Sequence, residues 1–185
     1  MYIGKLCFEP VIEHEEMVPE VIFQTVKNWS GKVKNESFLV AEIDPIFAGG
    51  KELCEHYDID IKIGANCLVV EGKRNKQSSY AVCLVPVGYK YNMSSVIRKA
   101  MNMRQVSVAP LQMVLDTVQM EYGSITPIGL PIDWPLYIDP LVMKNERIII
   151  GGGFVKCKLS ILTQALLDMP NSVVLDGVAK APLEE

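Results

Sequence analysis

The stretch that decides the fold is YGSITPIGLP, residues 122–131. It sets Gly123 and Gly129 on either side of Pro127, and Pro131 follows, so that neither a regular helix nor a central strand can form there. Glycine lacks a Cβ and lets a substrate approach the backbone, whereas proline restricts φ. The stretch therefore predicts a rigid loop whose fixed N–H groups can face a developing oxyanion. A purely structural turn is the alternative, because loops rich in glycine and proline are common.

The segments on both sides of this loop show strand-like and helix-like patterns. Upstream, residues 105–108 are β-like, and residues 110–118 are typical of a helix with proline in its first turn. Downstream, residues 136–138 and 147–150 are typical of strands, and the second runs into the triplet Gly151-Gly152-Gly153. The triplet lacks both GxGxxG and the Walker lysine-serine pattern. It therefore favours a bulge or a close backbone approach over a nucleotide-phosphate site.

The rest of the chain also mixes helices and strands. The patterns predict helices over 17–28, 47–57, 92–103 and 160–168, and strands over 37–43, 66–70, 81–85 and 172–175. Residues 72–79 are polar and predict a hairpin loop, and the tail from Lys180 is expected to be loose. Because strands and helices do not alternate strictly, the pattern favours an α+β domain around a mixed sheet over a doubly wound fold.

Composition and charge exclude several classes of protein. The chain has 185 residues, of which 49% are hydrophobic and 22% charged, so it can build a packed core. A net charge of -4 argues against coating of nucleic acid, although a local basic patch for one tRNA end stays open. No apolar run approaches the ~20 residues of a membrane span, and the N-terminus is not typical of a signal peptide. We therefore expect a cytoplasmic protein without membrane contact.

Cysteines and histidines give no strong signal of a metal or a nucleophile. Five cysteines at wide spacings predict free thiols in a reducing compartment, and without a CxxC pair no metal site is expected. Cys67 and Cys83 fall inside apolar strands, where an inert thiol is the expected state. His14 and His56 have no obvious partners and are interpreted as ordinary surface or core residues.

Three cations follow the last predicted strands. Arg147, Lys156 and Lys158 lie near the glycine triplet and could meet a phosphate. Charged residues at this spacing more often lie on a solvent-exposed face of a strand, and we expect the same of these three.

At the central loop the sequence resembles the GxxxP loop of the YbaK/prolyl-tRNA-editing family of trans-acting aminoacyl-tRNA deacylases. Neighbouring blocks resemble the family in the same order: residues 106–109 before the helix, 136–139 with a recurrent aspartate, and 149–153 with Lys158-Leu159 behind them. The resemblance runs from about residue 37 to about residue 179. It predicts an editing domain over 37–185 and an N-terminal extension over 1–36 that packs on it, as a single domain overall.

The resemblance implies a mixed sheet, partly rolled into a barrel and flanked by helices, with a pocket for the aminoacylated 3′ end of tRNA. It implies hydrolysis of the ester of a misacylated tRNA, assisted by a tRNA hydroxyl, without metal or cofactor. The implied partners are that tRNA end and an aminoacyl-tRNA synthetase. The implied catalytic positions are Asn66, Gly123 and Pro127; the implied substrate-binding positions are Ser124, Ile125, Thr126, Gly129, Asp139 and Gly152.

Two positions depart from the family pattern. The family has a lysine in a Val-Lys-Thr-Leu block where this chain has Asn66, and an Arg-Gly pair where it has Val155-Lys156. Asn66 can donate a hydrogen bond but carries no charge. Lys62 and Arg74 are candidates to supply the missing positive charge. Two alternatives to editing stay open: a module that binds an aminoacyl-tRNA end, a nucleotide or an amino-acid ligand without hydrolysis, and an enzyme acting on another ester or amide.

Overall fold

A computed structural model describes residues 1–182. The helices are α1 Glu20–Lys27, α2 Gly50–His56, α3 Arg98–Ala100, α4 Leu111–Val118 and α5 Thr163–Asp168, and a π-helix, Met93–Ile97, runs into α3. The strands are β1 Tyr2–Ile3, β2 Leu6–Cys7, β3 Glu9–Pro10, β4 Leu39–Glu42, β5 Ala65–Arg74, β6 Gln77–Pro86, β7 Lys90–Tyr91, β8 Gln105–Val108, β9 Leu136–Ile138, β10 Arg147–Gly151, β11 Cys157–Leu162, β12 Ser172–Val174 and β13 Ala179–Lys180.

Two principal sheets carry the fold. One has the order β10-β11-β4-β3 and is antiparallel, and the other has the order β12-β9-β6-β5-β8, in which β12, β9 and β6 run parallel. A parallel bridge between Gly64 and Ile149 joins the two at one corner. The predicted α+β class with mixed strand pairing is confirmed. In place of one sheet partly rolled into a barrel, two open sheets meet at this corner.

The main apolar core lies between these sheets and the helices. It includes fully buried side chains of both sheets, such as Leu84, Ile138 and Ile150, together with Val11, Ile22 and Val26 of the first 36 residues. α1 is amphipathic and turns its apolar side to this core. No helix within residues 1–182 is both long enough and apolar enough to cross a membrane.

The predicted hairpin is confirmed, but the extent predicted for its loop, residues 72–79, is wrong. β5 and β6 continue through this stretch and are joined by Asn75 and Lys76 alone, both with positive φ. Two left-handed residues match the twist of a two-residue hairpin turn. Backbone pairing holds the strand ends whatever the polarity of their side chains, so polarity misplaced the turn.

Several other predicted bounds differ by one to three residues, and two differences concern the C-terminal part of the chain. Residues 160–162, predicted as the start of a helix, belong to β11, and α5 begins at Thr163. β11 pairs with strands on both sides, and those long-range partners are invisible in a local pattern. Lys180, predicted to open a loose tail, pairs in β13 with Lys90, whereas residues 183–185 lie outside the described part of the chain.

Candidate active site

A cavity of about 470 Å³ opens at the corner where the two sheets meet. Its wall combines the first residues of β5, the start of α2, the end of β10 and the loop after α4. Asn66, Gly123, Ile125, Gly151 and Lys158 all contribute to that wall. The fold thus brings together segments more than 90 residues apart, as expected of a ligand site at a junction of elements.

Gly123 lies at an open position of the loop. Its φ is +83°, a left-handed conformation that side chains rarely adopt, and a Cβ there would meet nothing within 4 Å. Among residues 1–182, neither the N–H of Gly123 nor that of Ile125 finds an acceptor. Both residues line the cavity. The loop therefore offers two unpaired backbone donors beside an open space.

The glycine triplet holds this loop in place. The N–H of Glu121 donates to the Gly153 carbonyl at 2.7 Å, and the N–H of Gly153 donates to the Ser124 carbonyl at 2.8 Å. The N–H of Val155 donates to Glu121 Oε2 at 2.6 Å. A Cβ on Gly151 would lie only 2.5 Å from the Ser124 carbonyl oxygen. Backbone thus packs directly on backbone, which explains the glycine at this strand end.

α1 supports the same loop and triplet from the other side. A Cβ on Gly153 would lie 2.6 Å from Ile22 Cδ1, and one on Gly129 would lie 3.1 Å from the Val21 carbonyl oxygen. The N-terminal segment therefore contacts both the triplet and the loop that it holds.

Three predicted site residues reach the cavity wall, namely Asn66, Gly123 and Ile125. Ser124 and Thr126 are fully buried, and neither hydroxyl has a hydrogen-bond partner among the described residues. Pro127 and Gly129 line a separate cavity of about 220 Å³ beside Trp29.

The other two predicted positions lie away from the described cavity wall. Asp139 is buried and accepts hydrogen bonds from the N–H groups of Leu141 at 3.0 Å and Ala179 at 2.7 Å. It ties the end of β9 to β13. Gly152 is buried next to Cys157, whose thiol donates to its carbonyl.

The orphaned hydroxyl of Thr126 leads to a stability prediction. Thr126→Val is expected to raise the free energy of unfolding by about 1 kcal/mol, because it removes a buried polar group without a partner. The matched control is Thr163→Val, since the Thr163 hydroxyl donates to the Asn145 carbonyl at 2.8 Å, and that variant should lose about 1 kcal/mol. Urea unfolding of the two variants measures both effects. Equal losses would show that Thr126 has a partner.

The titratable side chains of the cavity do not include an activated thiol. Burial raises the pKa of the Cys67 thiol far above its ordinary value, and burial, with Asp60 nearby, raises the pKa of Cys54. A thiolate is the nucleophilic form, so both groups are poor nucleophiles. The described wall includes no histidine, aspartate or glutamate.

The two histidines lie elsewhere, as the ordinary interpretation expects. His14 Nε2 lies 3.2 Å from Glu9 Oε2, and the His56 ring stacks on Phe47 with centroids 3.6 Å apart. Within residues 1–182, no group of three histidine, cysteine, aspartate or glutamate side chains is arranged to hold a metal ion.

Lys158 lies in a place that the sequence interpretation did not expect. Predicted on a solvated strand face, it is only 6% exposed and lines the cavity from β11. Its Nζ donates to the Ala48 carbonyl at 2.8 Å, and burial lowers the pKa of its ammonium. A local signal existed, because Lys158 is the one charge in the apolar run CKLSIL of residues 157–162.

The other cations near the loop have different places. Arg147 is half-buried and donates to the carbonyls of Ser37 at 3.0 Å and Ser160 at 2.9 Å, which is a structural role. Lys156 is exposed, as predicted. Lys62 and Arg74 were the two candidates to supply the missing charge. Lys62 is exposed and is not part of the described cavity wall, and the Arg74 guanidinium donates to Asn102 Oδ1 at 2.8 Å.

These features define a ligand cavity at the corner where the two sheets meet. The chain belongs to the aminoacyl-tRNA editing domain family, whose model matches residues 47–169, and the resemblance to YbaK-like deacylases is thereby confirmed. No curated protein matches this sequence.

Solved structures with the same fold are distant in sequence. The crystal structure of hypothetical protein APE2540 has a TM-score of 0.67 at 15% identity, over 77% of this chain and 91% of that one. A candidate trans-editing enzyme for prolyl tRNA synthetase has a TM-score of 0.62 at 16% identity, over 74% and 84%. A candidate signal transduction protein from Marinobacter aquaeolei VT8 has a TM-score of 0.56 at 12% identity, over 85% of this chain and 30% of that one. At these identities the likeness shows the fold alone.

Proposed function

We propose that this chain is a trans-acting deacylase that hydrolyses the ester bond of a misacylated tRNA. The observation that carries the proposal is Gly123, which presents an unpaired N–H beside an open cavity in an editing domain. Donors fixed before the reaction stabilise a developing oxyanion without reorganisation.

The chemistry follows from the groups that the cavity offers. A water molecule attacks the ester carbonyl carbon, and the carbonyl oxygen, as it becomes an oxyanion, accepts hydrogen bonds from Gly123 and Ile125. The bond from that carbon to the ribose oxygen then breaks, the ribose oxygen takes up a proton, and the products are a free amino acid and tRNA. Because the described wall has no carboxylate or imidazole, the ribose hydroxyl next to the ester is the proposed proton relay.

The rim of the cavity suits the terminal nucleoside. Val108, Leu111 and Tyr122 are 55%, 47% and 72% exposed and all border the opening. Exposed aromatic and apolar side chains stack on unpaired bases without reading sequence. Asn66, whose side chain lies beside Gly50, would donate to the substrate from the opposite wall.

The remaining predicted residues enter the proposal as supports of the loop. Ser124, Thr126, Pro127, Gly129 and Gly152 would shape the backbone that carries the donors, and Asp139 would brace the neighbouring strand end. The proposed partners are the aminoacylated 3′ end of tRNA and the synthetase that misacylates it. The proposed setting is the cytoplasm, where such tRNAs occur and where the five free cysteines would stay reduced.

The Gly123 backbone gives a direct mutational test. Gly123→Ala is expected to reduce deacylation about 10- to 100-fold, because a Cβ at φ +83° strains the loop and moves its donors. Gly88→Ala is the matched control, since Gly88 has φ +89° and a Cβ there would make only an ordinary contact at 3.7 Å, off the described cavity wall. Both variants should lose about 1 kcal/mol of stability. Equal activity in the two would contradict the role of the loop.

A further inference from the structure

The inference begins with an ammonium group that is buried without a countercharge. Lys158 is 6% exposed, and no carboxylate of residues 1–182 forms an ion pair with it. A lysine has three N–H donors, of which one goes to the Ala48 carbonyl. Buried charges are costly unless they are paired, so a ligand with an anionic group would lower the cost of burying this ammonium.

The position of Lys158 points to the reacting end of the substrate. Lys158 of β11 pairs with Gly151 of β10, and Gly151 packs against the Ser124 carbonyl of the loop. Only β10 therefore separates Lys158 from the loop. On its other side, Lys158 contacts the Ala48 carbonyl. Two residues after Ala48, a Cβ on Gly50 would lie 3.3 Å from Asn66 Oδ1, so Gly50 is next to the Asn66 side chain. The segment Ala48–Gly50 therefore contacts the side chains of both Lys158 and Asn66.

We propose that Lys158 is the cation of this site and that its ammonium binds an anionic oxygen of the aminoacyl-ester substrate, compensating for the uncharged Asn66. The inference rests on the proposed deacylase function. Two oxygens of the substrate have the required chemistry, namely the ester carbonyl oxygen as it gains charge and the phosphate of the terminal nucleotide.

The test compares Lys158→Met with Lys156→Met. Lys158→Met is expected to reduce kcat/KM about 10- to 100-fold, the usual effect of losing a charge-assisted hydrogen bond, whereas exposed Lys156, which lies over the Phe154 ring, should give the wild-type rate. The double variant Lys158→Met with Asn66→Lys should recover part of the lost rate, because it restores a cation on the neighbouring wall. A wild-type rate in Lys158→Met overturns the inference.

A second substrate distinguishes the two oxygens. A 3′-aminoacyl adenosine has the ester but no phosphate. An equal loss on this substrate and on aminoacyl-tRNA assigns Lys158 to the carbonyl oxygen, and a loss confined to the tRNA, with KM raised and kcat unchanged, assigns it to the phosphate. Both results support a cation that binds the substrate.

Melting temperature separates this role from a structural one and does not depend on activity. Removal of an unpaired buried charge should leave the melting temperature of Lys158→Met unchanged or higher. A fall of several degrees, with Lys156→Met unchanged, would mean that Lys158 holds the fold through Ala48, and it would overturn the inference. A wild-type protein without deacylation would contradict the proposed function and this inference together, whereas an active wild type with an unaffected Lys158→Met would contradict the inference alone.

Discussion

Gly151→Ala is expected to cost about 1–3 kcal/mol of the free energy of unfolding and to reduce deacylation about 100-fold. A Cβ at this position would lie 2.5 Å from the Ser124 carbonyl oxygen and 2.7 Å from its carbonyl carbon. Neither atom belongs to a flexible side chain, so the central loop itself has to move. Movement of the loop is expected to displace the N–H groups of Gly123 and Ile125, which are the proposed donors to the oxyanion.

Urea unfolding and a deacylation assay on the same preparation measure both effects. Gly72→Ala in β5 is the matched control, because the three atoms nearest to a Cβ there belong to the side chains of Met103 and Met101 and none belongs to the backbone. Wild-type activity in Gly151→Ala would show that the loop is not held by the triplet as described.

Ile22→Ala is expected to lower the free energy of unfolding by about 2–5 kcal/mol, because Ile22 is fully buried in the main core. It should also reduce deacylation well below the melting temperature, since Ile22 packs where Gly153 anchors the loop. Calorimetric unfolding and the assay at low temperature give the two values.

Val26→Ala provides the comparison for this prediction. Val26 is equally buried and lies about one helical turn further along α1. Its truncation should destabilise the fold to a smaller extent and leave the rate of the folded protein near that of the wild type. Equal rates for Ile22→Ala and Val26→Ala would show that α1 stabilises the fold without positioning the loop.

The loop and its immediate frame could be predicted from the sequence because their signals are local. Glycine and proline spacing marked residues 122–131, and β9 and β8 were predicted with the bounds that the structure has. Short strands bounded by turn residues show their limits in the chain itself.

The cation of the cavity could not be predicted with the same means. Lys158 reaches the cavity because β11 pairs with β10 and β4 and because a carbonyl 110 residues away accepts its hydrogen bond. No local pattern contains such a contact. Ser124 and Thr126 show the converse, since their place in the loop motif suggested contact with substrate, but their side chains turn into the protein.

Residues 1–36 were predicted only as an extension that packs on the domain, and the division at residue 36 stays a prediction. The structure adds a physical reason for this segment. α1 packs against Gly153 and Gly129: a Cβ on Gly153 would clash with Ile22, and one on Gly129 would make a tight contact with the Val21 carbonyl oxygen. Complementarity between a helix and two glycines depends on tertiary packing and leaves no periodic signal.

Deacylation of pre-charged tRNA tests most directly whether the cavity hydrolyses a misacylated tRNA. Wild-type protein at micromolar concentration is incubated with a panel of mischarged tRNAs that includes alanyl- and cysteinyl-tRNA for proline. We predict release of the amino acid from at least one member at about tenfold or more above the rate in buffer, with most of the gain lost in Gly123→Ala. Rates equal to buffer across the panel would contradict the account.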